Sequence, residues 1–392
     1  MTPPTDYQVE LERTGTDIAD LKDRLKACPT DPEKVTRLAY RLYHRASLTA
    51  NFPDFEAAEA AIDDGIRQFG PKEDLCLLKA TLDFRFHRLA LVKRDLDMVP
   101  ALRGRPEGRS MLADLDFQEG RYEQARTAYE DLIRENRTWD NLARLAYYKF
   151  KMGDAEDADR LYVEAEDELT AKEMRSYAWV ELQRGVLRLT RGCYEDAMAH
   201  YRRADVAYTG HWHTDEHIAE ALAAQGRFDE AIALYESVID RAPRPEVRQT
   251  LGELYVFIGR PDHAQPWFDQ ALAGYLESAG RGDVHYYHHL TDFYADVRED
   301  GAEALKWARM DLELRDNFAT QAALAWALYR DGQLDAARDA MDQALSSGVC
   351  DAELFSQAAA IERAAGRASE SARHLQKAEE INPHYRNFHV HR

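Results

Sequence analysis

The chain has 392 residues, 45% of them apolar, so a sizeable core can be buried. Its formal net charge of −20 argues against the chain as a whole binding nucleic acid or an anionic membrane, since both need a basic footprint. It leaves a basic protein or a cationic ligand as the compatible kind of partner. Ala and Leu are plentiful and long runs of Val, Ile and Thr are missing, which favours helix over sheet. The four cysteines, Cys28, Cys76, Cys193 and Cys350, form no CxxC pair, so buried free thiols are expected rather than disulfides or a thiolate zinc site. With no apolar leader at the N-terminus and no stretch approaching about 18 apolar residues, a soluble cytoplasmic protein is expected.

In chain order, residues 1–16 hold two prolines and little apolar periodicity, and are expected to fray. Ile18, Leu21 and Leu25 then mark a leading helix, completing an N-terminal segment over 1–32. Asp31 and Pro32 supply an N-cap and a first-turn proline for the next helix, which runs through Val35, Leu38, Ala39 and Leu42. Its partner carries Phe55, Ala58, Ile62 and Ile66 on one face. Residues 33–105 read as degenerate helix pairs that lack a glycine at the turn, 106–284 as a regular central array, and 285–392 as final repeats with a C-terminal capping helix and a short tail.

A small residue recurs at Ala80, Ala113, Ala146, Gly185, Ala219, Gly252, Asp292, Ala325 and Ala359, in steps of 33, 33, 39, 34, 33, 40, 33 and 34 residues. From Ala113 to Ala325, a second small residue follows each of these twelve positions later, as Ala125, Ala158, Ala197, Ala231, Ala264, Ala304 and Ala337. Four residues beyond that come Tyr129, Tyr162, Tyr201, Tyr235 and Phe268, then Ala308 and Met341. Gly120, Gly153, Gly192, Gly226, Gly259, Gly332 and Gly366 occupy the inter-helix turns, where a left-handed cap is needed. Small residues let two helices approach closely, and the aromatic fills the gap to the next pair. One pair alone cannot bury its apolar face, so the pairs must stack.

This pattern resembles the tetratricopeptide repeat over about residues 33–385, most cleanly in 113–243 and 318–383. The resemblance implies an all-α, right-handed α-solenoid of about nine to ten stacked helix-turn-helix repeats. It also implies that the first helix of each pair lines the concave face, where the family commonly binds extended peptides or a partner's helix. The long steps of 39 and 40 residues place extensions near 166–175 and 278–284.

No enzyme signature is present: there is no GxSxG, no GxxxxGK[ST], no GxGxxG and no HExxH. The chain is therefore expected to be non-enzymatic, with no cofactor. The most unusual local feature is histidine placement, in HWHTDEH (His211, His213, His217) and HYYHH (His285, His288, His289). His213 with His217, and His285 with His289, have the i,i+4 spacing of metal ligands on one helix face. First helices two repeats apart should lie about 20 Å from one another if neighbouring helices pack at roughly 8–10 Å, so the two pairs cannot share one ion.

In the repeat register, the residues expected to face the groove are His213, Glu216, Glu220, Gln249, Glu253, Tyr286, His289, Phe293, Trp326 and Tyr329. Acids mixed with aromatics suit a peptide carrying Lys or Arg. An interaction scaffold for a protein or peptide, binding neither nucleic acid nor membrane, is the favoured reading. A metal or small-molecule binder using the histidine-bearing helices is the alternative. Residues 85–109 are locally basic and read as a solvated face, and the tail ending in His389, Val390 and His391 reads as flexible.

Overall fold

The computed structural model describes residues 3–28 and 30–390. These form twenty-one α-helices with one 3₁₀ and one π segment, and no strand among the described residues. From α2 onward the helices pack as consecutive pairs. No helix among the described residues is long and apolar enough to cross a membrane. The chain divides into two compact units, one comprising Met1–Leu112 with Tyr208–His211, the other Ala113–Ala207 with Trp212–Arg392.

The first unit opens on α1 (Asp6–Ala27), so the expected fraying does not occur. Thr5 makes a capping box with Gln8, which satisfies two otherwise orphaned N–H groups. Tyr7 is buried, and its backbone N–H donates to the Thr209 carbonyl at 3.2 Å. Helix α2 (Pro32–Thr49) is capped by Asp31, as its sequence predicts, and pairs with α3 (Phe52–Phe69). Phe55, Ile62, Leu75, Leu82 and Phe86 form the core beneath α4 (Glu73–Arg85).

The basic stretch is largely consumed within this unit. Arg88 pairs with Asp83 and Glu59, Arg103 with Asp97, and Arg105 with Glu73. Between α4 and α5 (Leu89–Asp97) lies an acidic pair that the sequence does not announce. Asp83 is 1% exposed and Asp95 fully buried, and their carboxyl groups face one another. Burial, together with this contact, pushes Asp83 up to about 7.

The second unit begins within α6 (Pro106–Gln118) and continues as α7 (Tyr122–Glu135), α8 (Trp139–Lys151), α9 (Ala155–Asp167), α10 (Met174–Leu189) and α11 (Tyr194–Ala207). It resumes with α12 (Trp212–Ala224), α13 (Phe228–Arg241), α14 (Pro245–Phe257), α15 (Pro261–Gly280), α16 (Tyr287–Asp292) and α17 (Gly301–Leu314). Helices α18 (Phe318–Arg330), α19 (Leu334–Ser346), α20 (Ala352–Ala364) and α21 (Ala368–Ile381) complete it. The small-residue rule has a direct steric basis. A Cβ added at Gly185 would lie 2.1 Å from the Tyr201 ring, and one at Gly252 would lie 2.5 Å from Phe268. The aromatic of each second helix therefore sits on the small residue of its own first helix. It also reaches the next pair: Tyr201 meets His217 edge-on at 5.5 Å, and Phe268 meets Phe293 at 5.9 Å.

The two long steps resolve into longer helices. Helix α10 has 16 residues and α15 has 20, where their counterparts have 13 and 14. The weak repeat at Asp292 is weak for a reason: α16 is only six residues long and runs into the π segment Phe293–Val297, with Thr291 rather than Asp292 fully buried. All four cysteines are free, but only Cys76 is buried, while Cys28 and Cys193 are exposed.

Within the second unit the stack comes round on itself after six pairs. Asn317, which caps α18, donates from Nδ2 to the Gln118 carbonyl at 3.0 Å, and Phe318 N–H donates to the Tyr122 hydroxyl at 2.8 Å. One pair further on, Cys350 N–H donates to the Lys151 carbonyl at 2.9 Å. Gly120 and Gly153 are needed here twice over: both have positive φ, and a Cβ would lie 2.6 Å from the Asp316 carbonyl or 2.7 Å from Cys350.

Candidate functional site

First helices of this unit touch first helices of the next pair, α10 with α12, α16 with α18 and α18 with α20. On α12, His213, Glu216, His217 and Glu220 share one face. His213 Nδ1 lies 3.1 Å from Glu216 Oε2, and the two imidazole rings are 4.5 Å apart, edge to face. His217 is 2% exposed, and its Nδ1 donates to the His213 carbonyl at 2.9 Å. This hydrogen bond fixes the tautomer whose lone pair is on Nε2. One ligand atom from each of His213, Glu216 and His217 lies within 4.8 Å of the others, the one such group of three or more among the described residues.

Glu220 is fully buried, and its Oε1 accepts the Val390 N–H at 2.6 Å. Glu253, at the equivalent repeat position on α14 but only half-buried, accepts Gln249 Nε2 at 2.8 Å, and Gln249 Oε1 accepts the Tyr275 hydroxyl at 2.8 Å. Glu220, Glu216 and Glu253 all act on Tyr235, the buried aromatic of α13, through their charge. Burial chiefly, and then the charges of these three carboxylates, raise its phenol well above the ordinary value.

A second layer follows from residues that sequence reasoning did not pick out. Arg244, just ahead of α14, pairs with Glu246 and lies over the Trp212 ring at 5.5 Å. The Tyr286 hydroxyl donates to Glu246 at 3.1 Å. Burial opposes the charge on Glu246, but Arg244 and then His289 outweigh it and hold the carboxyl at about 2. His289 stacks on Tyr275 at 5.4 Å, and burial lowers its pKa. Arg244 and Glu246 stand in the Arg-Pro-Glu that starts a first helix, and an opposite-charge pair at that position was the available signal.

Three expectations need correction. Phe293 is fully buried against Phe268 and is not presented to a ligand, because the π segment turns it into the core. His285 precedes α16, which starts at Tyr287, so His285 and His289 do not share a helix face. Burial takes His285 down to about 3. The tail is held rather than flexible, although His391 lies outside the described residues. Trp326 and Tyr329 stand half-buried with rings 4.9 Å apart, and the Trp326 indole donates to Asp296 at 2.9 Å.

Two family models match the chain. One, a tetratricopeptide repeat, spans residues 213–277, the helices α12 to α15 that carry this site. Residues 213–277 thus match the tetratricopeptide repeat. The other model, the TT21 fifth ARM repeats domain, spans residues 107–211 of the same repeat array. No curated protein matches. Among solved structures, the Cut9–Hcn1 hetero-tetramer of the APC/C is similar at 17% identity and a TM-score of 0.45, covering 88% of this chain and 74% of that one. A tetratricopeptide repeat protein from Parabacteroides merdae is similar at 17% identity and a TM-score of 0.38, covering 62% and 93%. MamA is similar at 20% identity and a TM-score of 0.35, covering 43% and 96%.

Proposed function

We propose that this chain is a non-enzymatic scaffold that binds an extended, cationic segment of a partner protein on the inner face of α12, α14 and α16. The observation that supports the reading is the placement of Glu216 and Glu253 on two successive first helices, with Glu220 buried beside them and Glu253 lining a cavity with Asp296. Carboxylates so placed favour Lys or Arg, and Tyr286 and Trp326 offer rings to a guanidinium or ammonium. Glu216→Gln, Glu253→Gln and His289→Ala combined should cut partner recovery in affinity capture at least tenfold, with a melting temperature within about 3 °C of wild type. The same partners recovered at the same yield would remove the assignment.

A second reading is favoured by one specific observation, the His213–Glu216–His217 cluster with its ligand atoms within 4.8 Å. Two imidazoles and a carboxylate suit Zn²⁺ with an open fourth position. Calorimetric titration with Zn²⁺, Ni²⁺ and Cu²⁺ should then give a saturable event that is lost in a His213→Ala/His217→Ala chain. An identical isotherm for both chains would eliminate it.

A further inference from the structure

After α21 the chain does not leave the fold. Residues 382–390 run back across the second unit, against the turn after α10 and the C-terminal ends of α12 and α14. Asn382 Oδ1 sits against Gly192, where an added Cβ would approach it to 2.5 Å. The Tyr194 hydroxyl donates to the His384 carbonyl at 3.2 Å, and Asn387 Nδ2 donates to the Ala224 carbonyl at 3.0 Å. Val390 N–H reaches Glu220, and His389 Nε2 lies 3.3 Å from Glu353. Phe388 is 5% exposed and meets Phe257 edge-on at 5.6 Å.

Three properties of this segment bear on the groove. It is irregular, turning at 383–387 and running without regular structure over 388–390, with Tyr385 packed on Ala352, Ala378 and Ile381 and the rest held by single hydrogen bonds. It carries His384, Arg386 and His389 and no acid, on a chain whose net charge is −20. It also separates two cavities, of about 610 and 520 Å³, which share Phe257, Asn387 and Phe388 as lining. The second cavity includes Glu253 and Asp296 beside Arg386 and His389. The tail thus offers a cation and an aromatic ring, it bonds Glu220 through the Val390 N–H, and it lines a cavity with Glu253.

We propose that residues 382–390 are a tethered internal ligand of the groove, and that a partner binds with an extended, basic segment bearing an aromatic anchor, which displaces the tail and takes the place of Phe388. This rests on the groove reading given above. An intramolecular occupant lowers the apparent affinity of a partner by the fraction of time the site is closed. Loosening the tail therefore increases binding without adding a contact.

The test uses the full-length chain and a fluorescent synthetic peptide of residues 382–392 as probe. An Asn387→Ala/Phe388→Ala chain should bind the peptide at least tenfold more tightly than wild type, and a peptide carrying the same two substitutions should bind at least tenfold more weakly than the native peptide. Equal binding to both chains, or none to either, overturns the proposal. Hydrogen exchange on the wild-type chain supplies a measurement independent of variant folding. The Val390 amide should exchange at least 100-fold faster than the core amides of α20, which shows the tail opening while the repeats stay folded; equal protection overturns the proposal. Should the tail fail these tests while the Glu216/Glu253/His289 chain still loses its partners, only the internal-ligand proposal falls.

Discussion

Replacing Gly185 with alanine is expected to destabilise the α10–α11 pair by about 3 kcal/mol, the upper end of overpacking costs. The added methyl carbon would lie 2.1 Å from Tyr201 Cε1 and 2.5 Å from Cδ1. Neither group can step aside cheaply. Tyr201 is fully buried, and the position it would retreat toward holds the His217 ring of the next first helix. The loss should be partly recovered by Tyr201→Leu in the same chain, so that the two substitutions couple by more than about 1 kcal/mol. Tyr201→Phe alone should be neutral or slightly stabilising, because its hydroxyl is buried with no hydrogen-bond partner among the described residues. Hydrogen exchange of the α10 and α11 amides reads these changes locally. A Gly185→Ala chain with wild-type protection there would contradict the close-contact account of the repeat.

The second large effect concerns pH. Asp83 faces Asp95 from α5, Arg88 from the connecting loop and Lys79 from its own helix, and Arg88 is shared with Glu59 of α3. Burial and the neighbouring carboxyl raise Asp83 from 3.8 to about 7, so the folded pair retains a proton that the unfolded chain has already released. The folded state then binds more protons than the unfolded one between about pH 4 and 7. Stability contributed by the protonated pair is therefore present below pH 4, is lost as pH rises to 7 and stays lost above it. Each tenfold change in proton affinity is worth roughly 1.4 kcal/mol, so the loss is on the order of 4 kcal/mol. Asp83→Asn, which keeps a donor toward Asp95 and an acceptor toward Arg88, should flatten this slope and raise the melting temperature of the first unit at pH 8. A slope between pH 4 and 7 unchanged by the substitution would show that the pair is not the source.

These two predictions also mark what the sequence makes legible. The spacing of Gly185 to Tyr201 is a local fact, sixteen residues along the chain, and the sequence states it in every clean repeat. Two carboxylates twelve residues apart, in a stretch where the repeat has lost its glycine and aromatic, look like solvated acids until burial is known. That His213, Glu216 and Glu220 share one face of α12 follows from helical spacing alone, because α12 begins where its apolar pattern begins. Phe293 does not, because one π segment rotates the register that placed it. His285 does not, because α15 runs on to Gly280 and delays the next helix to Tyr287. The tail has no periodicity to read. Its meaning lies in contacts such as Asn387 with Ala224, 163 residues apart, which only the closure of the stack brings together.

The central claim, that the inner face of α12 to α16 selects a cationic segment, is tested most directly by titrating two extended peptides that differ only in Lys against Glu. The account predicts binding of the Lys peptide alone, weakened by added salt and reduced at least tenfold by Glu216→Gln/Glu253→Gln/His289→Ala. Binding of the Glu peptide with equal affinity, or of the Lys peptide with no loss in the triple variant, would contradict it.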